Sequence, residues 1–246
     1  MKKLILILVT VCCSSVLIAQ NHTFFPPQPE SARWTYLKWD ADGNLKERNF
    51  YAVESITGDA VNGKAVVNVE IVSVDSPTDT LKTKLFYRFE QGECILDMGA
   101  IFESEAFGKI TKESMKDAGE YSQEELDESL RQVKEKMKFT GEVRGVPQYP
   151  EVGKLPDYEF RMKLMFVSMT IKGDQRKITG QELVQTPAGD FNCFVLSENI
   201  TTKAMMQREL QKTTSWYAYG IGLVKQMVYN DKGDLESVTL LETINW

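Results

Sequence analysis

Apolar and polar residues alternate along much of this chain with the two-residue period of half-buried strands. Val67, Val69 and Ile71 alternate with Asn68 and Glu70, and Leu81, Thr83, Leu85, Tyr87 and Phe89 alternate with Lys82, Lys84, Arg88 and Glu90. Each segment therefore predicts a strand with one buried and one wet face. Arg33–Trp39, Lys46–Ile56 and Glu93–Met98 complete an N-terminal meander, with Asp40-Ala41-Asp42-Gly43-Asn44 turning the first hairpin. In the C-terminal part, Ile178–Gln185, Phe191–Asn199, Thr213–Tyr219, Ile221–Tyr229 and Leu235–Ile244 are rich in β-branched and aromatic residues and bounded by turn-formers. Their connections are short, which forces antiparallel neighbours. Phe191–Leu196 and Met162–Ile171 are apolar on both phases, as expected of strands covered on both faces.

One stretch follows a helical rhythm instead. Ser122-Gln123-Glu124-Glu125 is a capping box, and Leu126, Leu130, Val133 and Met137 then share one face. Acids fill the first half and Arg131, Lys134, Lys136 and Lys138 the second, as the helix dipole prefers. The narrow apolar stripe suits a helix lying on a sheet or closing one end of a barrel. Gly141 to Pro156, with prolines at 147, 150 and 156, is a candidate hinge. The expected fold is mainly β: a curved antiparallel meander or partly open barrel with one substantial helix packed on it. The expected organisation is an N-terminal meander over 33–108, a helix and crossover over 109–156, and a C-terminal meander over 157–246, all within one domain from residue 21.

Thr186-Pro187-Ala188-Gly189-Asp190-Phe191, then Trp216, then Gly220-Ile221-Gly222-Leu223-Val224-Lys225 resemble the C-terminal pattern of TapB-like exported bacterial proteins, and Gly153-Lys154-Leu155-Pro156-Asp157 resembles that family's entry into its second sheet segment. The resemblance covers roughly residues 150–246. It implies a strongly curved antiparallel sheet or partly open barrel, and no reaction or catalytic residue.

The N-terminus changes the compartment expected. Lys2 and Lys3 precede the apolar run Leu4–Val11, and the segment ends in small and apolar residues, the layout of a secretory signal peptide over residues 1–20. The run is shorter than the ~20 residues that span a bilayer. Cys12 and Cys13 lack the small residue expected just ahead of a lipid-modified cysteine, which favours a periplasmic or secreted protein over a lipoprotein. The net charge of −6, made more negative by loss of the signal's two lysines, and the lack of a basic stripe argue against nucleic acid as a partner.

Candidate chemistry is sparse. His22 is the only histidine and falls near the new N-terminus, which excludes histidine-based nucleophilic catalysis and histidine-rich zinc sites. Cys94 and Cys193 remain after cleavage; export permits a disulfide, while the apolar strand around Cys193 suits a free core thiol. No cofactor motif is present. The aromatics Trp34, Tyr36, Trp39, Trp216, Tyr217 and Tyr219 fit either cross-strand core pairs or a sugar platform, and Met162, Met165, Met169, Met205, Met206 and Met227 either core or an adaptable cavity. The leading expectation is a non-catalytic envelope protein that holds an apolar or amphipathic ligand, lipid-like in character, or a protein partner on its curved sheet. The ligand candidates are Phe166, Phe191, Phe194, Trp216 and Leu223 on the inner surface. Two alternatives stand beside it. One is an enzyme acting on envelope glycans through paired carboxylates drawn from the 35 acids. The other is an adhesion or assembly factor whose exposed strand edge pairs with another protein.

Overall fold

The computed structural model describes residues 32–59, 61–76, 80–105, 107–109, 111–112, 122–164, 167–204 and 206–245. The expected signal peptide, His22 and Phe166 lie outside them.

Antiparallel pairing organises the chain into one 14-stranded sheet. The strands are β1 Arg33–Asp40, β2 Leu45–Gly58, β3 Asn62–Ser73, β4 Thr80–Glu90, β5 Glu93–Leu96, β6 Met137–Gly141, β7 Val143–Arg144, β8 Gly153–Lys154, β9 Tyr158–Leu164, β10 Val167–Thr186, β11 Gly189–Ala204, β12 Gln207–Ala218, β13 Gly222–Tyr229 and β14 Leu235–Asn245. Helix α1 spans Met98–Glu103 and helix α2 spans Gln123–Lys136. β14 pairs with β1, so the two meanders are one continuous surface. The order ends in β6 on one side and β7 on the other. Only Glu142 separates those two strands, so the sheet nearly closes into a barrel along residues 137–144.

The hinge expected over Gly141–Pro156 is thus, at its start, the closing seam. β6 pairs with β9, and β7 pairs with β5. Between them Gly141 takes φ +77, and a Cβ there would fall 1.9 Å from the Glu159 carbonyl oxygen. Only glycine tolerates both that backbone conformation and that approach.

The first hairpin turn carries the expected chemistry: Asp40 Oδ1 accepts from the Asp42 and Asn44 amides, with Gly43 at φ +81. Asn230 does the same for Lys232 and Asp234 ahead of Gly233.

The barrel interior carries one large cluster of buried side chains. Tyr36 donates to the Leu223 carbonyl at 2.9 Å across the core and meets the Tyr51 ring edge-on at 5.2 Å. The predicted end of β5 is instead the start of α1: Asp97 caps it by accepting from Ala100 N. Its Phe102 stacks on Phe139, which in turn stacks on Phe160. A short helix that alternation could not show therefore brings aromatic mass into the core. α2 begins with the expected capping box at Ser122 and Glu125. It buries Leu126 and packs Val133 against the core.

Candidate functional site

Three regions carry polar or apolar features beyond simple packing: a buried ion pair at the seam, an apolar strip on the outer face, and the far edge of β10.

The ion pair arises from a bulge. β10 shifts register between Asp174 and Lys177, with Gln175 at φ +54. The extra residue reverses the alternation and turns Arg176 inward from what reads as a solvated charge run. Arg176 Nε donates to Glu198 Oε2 at 2.8 Å, and its other nitrogens donate to the carbonyls of Pro156, Arg144 and Gly145. The guanidinium also lies 4.9 Å from the Tyr158 ring centroid. These bonds tie the seam and the approach to β9 onto β10 and β11. Glu198 Oε1 and the hydroxyl of its cross-strand neighbour Thr213 are buried with no hydrogen-bond partner among the described residues. Burial raises the Glu198 carboxyl above its usual range despite the opposing pull of Arg176. Among the described residues Glu198 is the one buried carboxylate, and it faces a guanidinium. A glycosidase centre needs two carboxyls, and that convergence is not found here. Nor do three His, Cys, Asp or Glu side chains cluster as metal ligands among the described residues.

The outer strip holds Val184, Cys193, Val195, Trp216, Ala218 and Val224 as a cluster separate from the barrel core. Trp216 Nε1 donates to Glu182 Oε2 at 2.7 Å, and Lys225 lies over the indole at 4.8 Å. Cys193 is fully buried there, while Cys94 lies in the main core, and neither is in a disulfide among the described residues. Burial pushes the Cys193 thiol up to about 12, helped by the charge of Glu182.

The candidate ligand residues therefore do not line one inner surface. Leu223 is fully buried in the main core, and Phe194 packs against it. Trp216 belongs to the outer strip, because the adjacent Tyr217 takes the inward position. Phe191 touches both clusters. Trp34, Tyr36, Met162 and Met169 are likewise core residues.

The edge of β10 is the feature that most departs from a finished barrel. On one side β10 pairs with β11 as far as Thr186–Gly189. On the other it pairs with β9 from Val167 to Gly173 and with β8 at Lys177 and Ile178. From Thr179 to Thr186 that second side has no partner strand among the described residues. Thr179, Gln181, Glu182, Leu183 and Gln185 are exposed, Leu183 at 62%. Beside β8, a surface depression of about 490 Å³ is lined by Lys154, Lys177, Gln175, Ser197 and Asn199.

A model of the DUF3108-like family matches residues 30–241. The chain belongs to the DUF3108-like family. That membership spans both meanders, whereas the motifs resembling TapB-like proteins lie in the C-terminal half; the wider family is the one shown. No curated protein matches the chain. Its fold is shared with two solved structures. One is a Bacteroides fragilis protein described as exported and YmcC-like in fold, at 21% identity and TM-score 0.60, spanning 92% of this chain and 100% of that one. The other is a Parabacteroides distasonis protein described as a lipoprotein, at 19% identity and TM-score 0.61, spanning 92% of this chain and 99% of that one. This DUF3108-like chain thus has the barrel of those two proteins.

Proposed function

We propose that this DUF3108-like protein is an exported, non-catalytic protein of the bacterial envelope that captures a partner polypeptide by strand pairing along Thr179–Thr186. The observation that carries this reading is the open edge itself: a row of backbone donors and acceptors with no partner strand among the described residues, on a strand that is paired on both sides at Met169–Gly173. Proteins blunt such edges with lysines, prolines, bulges or covering loops. Here a bulge at Thr179 marks the start of the stretch, but Gly180–Thr186 beyond it has no lysine and no proline, and its one charged side chain, Glu182, is engaged by Trp216. An unpaired edge of this kind is a template for an added strand. Export is supported by the signal-like N-terminus and by what the two fold neighbours are described as. A core built of buried aromatic and aliphatic side chains favours this surface over an enclosed ligand. Trp216 and Phe191 are the proposed contacts for apolar side chains on the added strand, and Phe194 and Leu223 serve the core.

The test is site-specific photocrosslinking in the intact envelope, with a photoreactive residue at Leu183 and a control at Phe50, which is exposed at 39% on β2. The expected result is one discrete polypeptide adduct at Leu183, absent at Phe50 and lost when Gln181→Lys is added. Equal adducts at both positions, or none at Leu183, overturn the reading.

A further inference from the structure

We infer that the open edge is polar in charge and selects a strand that runs antiparallel to β10 and ends in a carboxylate. This rests on the strand-capture reading and names the chemistry of its partner.

The edge ends at β8. There Lys154 stands directly opposite Lys177, both on the outer face. Like charges directly across an antiparallel pair repel, so this pairing is unfavourable unless something negative joins it. Two acids near them in the sheet are committed elsewhere: Asp174 to Lys172 at 2.9 Å, and Glu198 to Arg176 at 2.8 Å. Among the described residues neither Lys154 nor Lys177 has a carboxylate within ion-pair distance. Ser197 and Asn199 line the same depression with neutral polar groups. In a chain of net charge −6, this is a local cationic spot at one end of an unpaired edge.

The other end has the opposite sign. Asp190 faces Gln185 across the β10–β11 hairpin and is exposed. An added strand antiparallel to β10 starts beside Gln185 and Thr186 and runs toward Thr179, where its last residues abut Gly153 and the two lysines. Its amino end then lies near Asp190 and its carboxyl end near Lys154 and Lys177. A parallel strand would place a cationic amino end against the lysines instead. Charge complementarity therefore fixes the direction as well as the end group. The carboxylate can be a chain terminus or an Asp or Glu side chain, since the chemistry the lysines recognise is the same.

Three synthetic peptides of alternating Val and Thr, matched in length to the open edge, test this by fluorescence anisotropy with the purified mature protein. The first carries Lys at its amino end and Glu with a free terminus at its carboxyl end. The second has the same composition with the two charged residues exchanged and both termini blocked, and the third is the first with only its carboxyl terminus amidated. The first is expected to bind about tenfold tighter than the second at low salt, with the gap narrowing as salt rises. Lys154→Glu with Lys177→Glu should erase or invert that preference. Weaker binding of the third than the first assigns the terminus; equal binding assigns the Glu side chain. Equal affinity for the first and second, unmoved by the lysine substitutions, overturns the charge inference and leaves strand capture standing. No binding by any peptide, or binding that survives Gln181→Lys with Leu183→Lys, overturns strand capture and this inference with it.

Discussion

The two halves of β10 meet the same fold in opposite ways. From Met169 to Gly173, and again at Lys177 and Ile178, the strand is paired on both sides, and between them it is fastened by Arg176, whose guanidinium holds the Arg144, Gly145 and Pro156 carbonyls. From Gly180 to Thr186 it pairs with β11 alone among the described residues. The difference shows that the barrel is not short of material to close itself. Residues 143–154 supply β7 and β8, and the chain joins β10 only at Gly153, opposite Ile178, before running back along it toward Arg176. Closure is built where Arg176 and Gly141 allow it, and the edge is left open beyond them.

Breaking the closed half should give the largest effect. Arg176→Ala strands Glu198 in the core and frees three carbonyls, so it should cost about 3–5 kcal/mol, read as a shift in the denaturant midpoint. Loss of amide protection at Val143–Gly145 should accompany it, while Thr239–Leu241 on the far wall stays protected. A small shift with an unchanged seam would mean that backbone pairing alone closes the barrel. Gly141→Ala should follow at roughly 2–4 kcal/mol, because the added methyl meets the Glu159 carbonyl and the residue is held at positive φ.

The ion pair also sets a pH dependence. Glu198 has a raised carboxyl in the folded chain, so between its ordinary value of 4.5 and the folded value the native state binds the extra proton. Its contribution is complete below 4.5 and is lost as pH rises through the folded value, with a slope of at most about 1.4 kcal/mol per pH unit. Glu198→Gln should flatten that part of the stability curve in urea titrations. A curve unchanged by the substitution would assign the slope to other groups.

The capping box gives a smaller effect, remote from both halves. Ser122 Oγ accepts from Glu125 N while Glu125 Oε2 accepts from Ser122 N. Ser122→Ala should cost about 1 kcal/mol, visible as faster amide exchange through Leu126–Leu130.

That cap, most strands and the Asp40 and Asn230 turns were legible because each depends on residues within a few positions of one another. The closing features were not. Arg176 sits in Asp174-Gln175-Arg176-Lys177, where alternation predicts solvent, and only the bulge at Gln175 turns it inward. The same holds for Trp216. Its apolar neighbours suggested an inner wall, but Tyr217 occupies the inward position and a register shift beside Val224 leaves Trp216 outside. A period of two reports that two faces exist, and does not report which faces the core when both are apolar. The length of β10 was partly legible too, since Met162–Ile171 and Ile178–Gln185 both read as strand. What covers its second side depends on where a loop distant in sequence departs, which no local pattern encodes.

The smallest expected effect sharpens the comparison most. Leu183→Lys replaces an exposed side chain on the open edge, so nothing in the core is lost and global stability should change by less than about 0.5 kcal/mol. If the edge were closed in solution, the same lysine would have to be forced out of a contact and the cost would exceed that. Amide exchange makes the contrast internal to one strand. Amides of Thr170–Gly173 lie between two ladders and should exchange only through larger openings, whereas alternate amides of Thr179–Thr186 point at solvent and should exchange near the unprotected rate. Uniform slow exchange along all of β10 would show a second neighbour already in place. In that case the edge is an internal joint of the molecule, and the lysines at Lys154 and Lys177 must find their counter-charge there rather than on a partner.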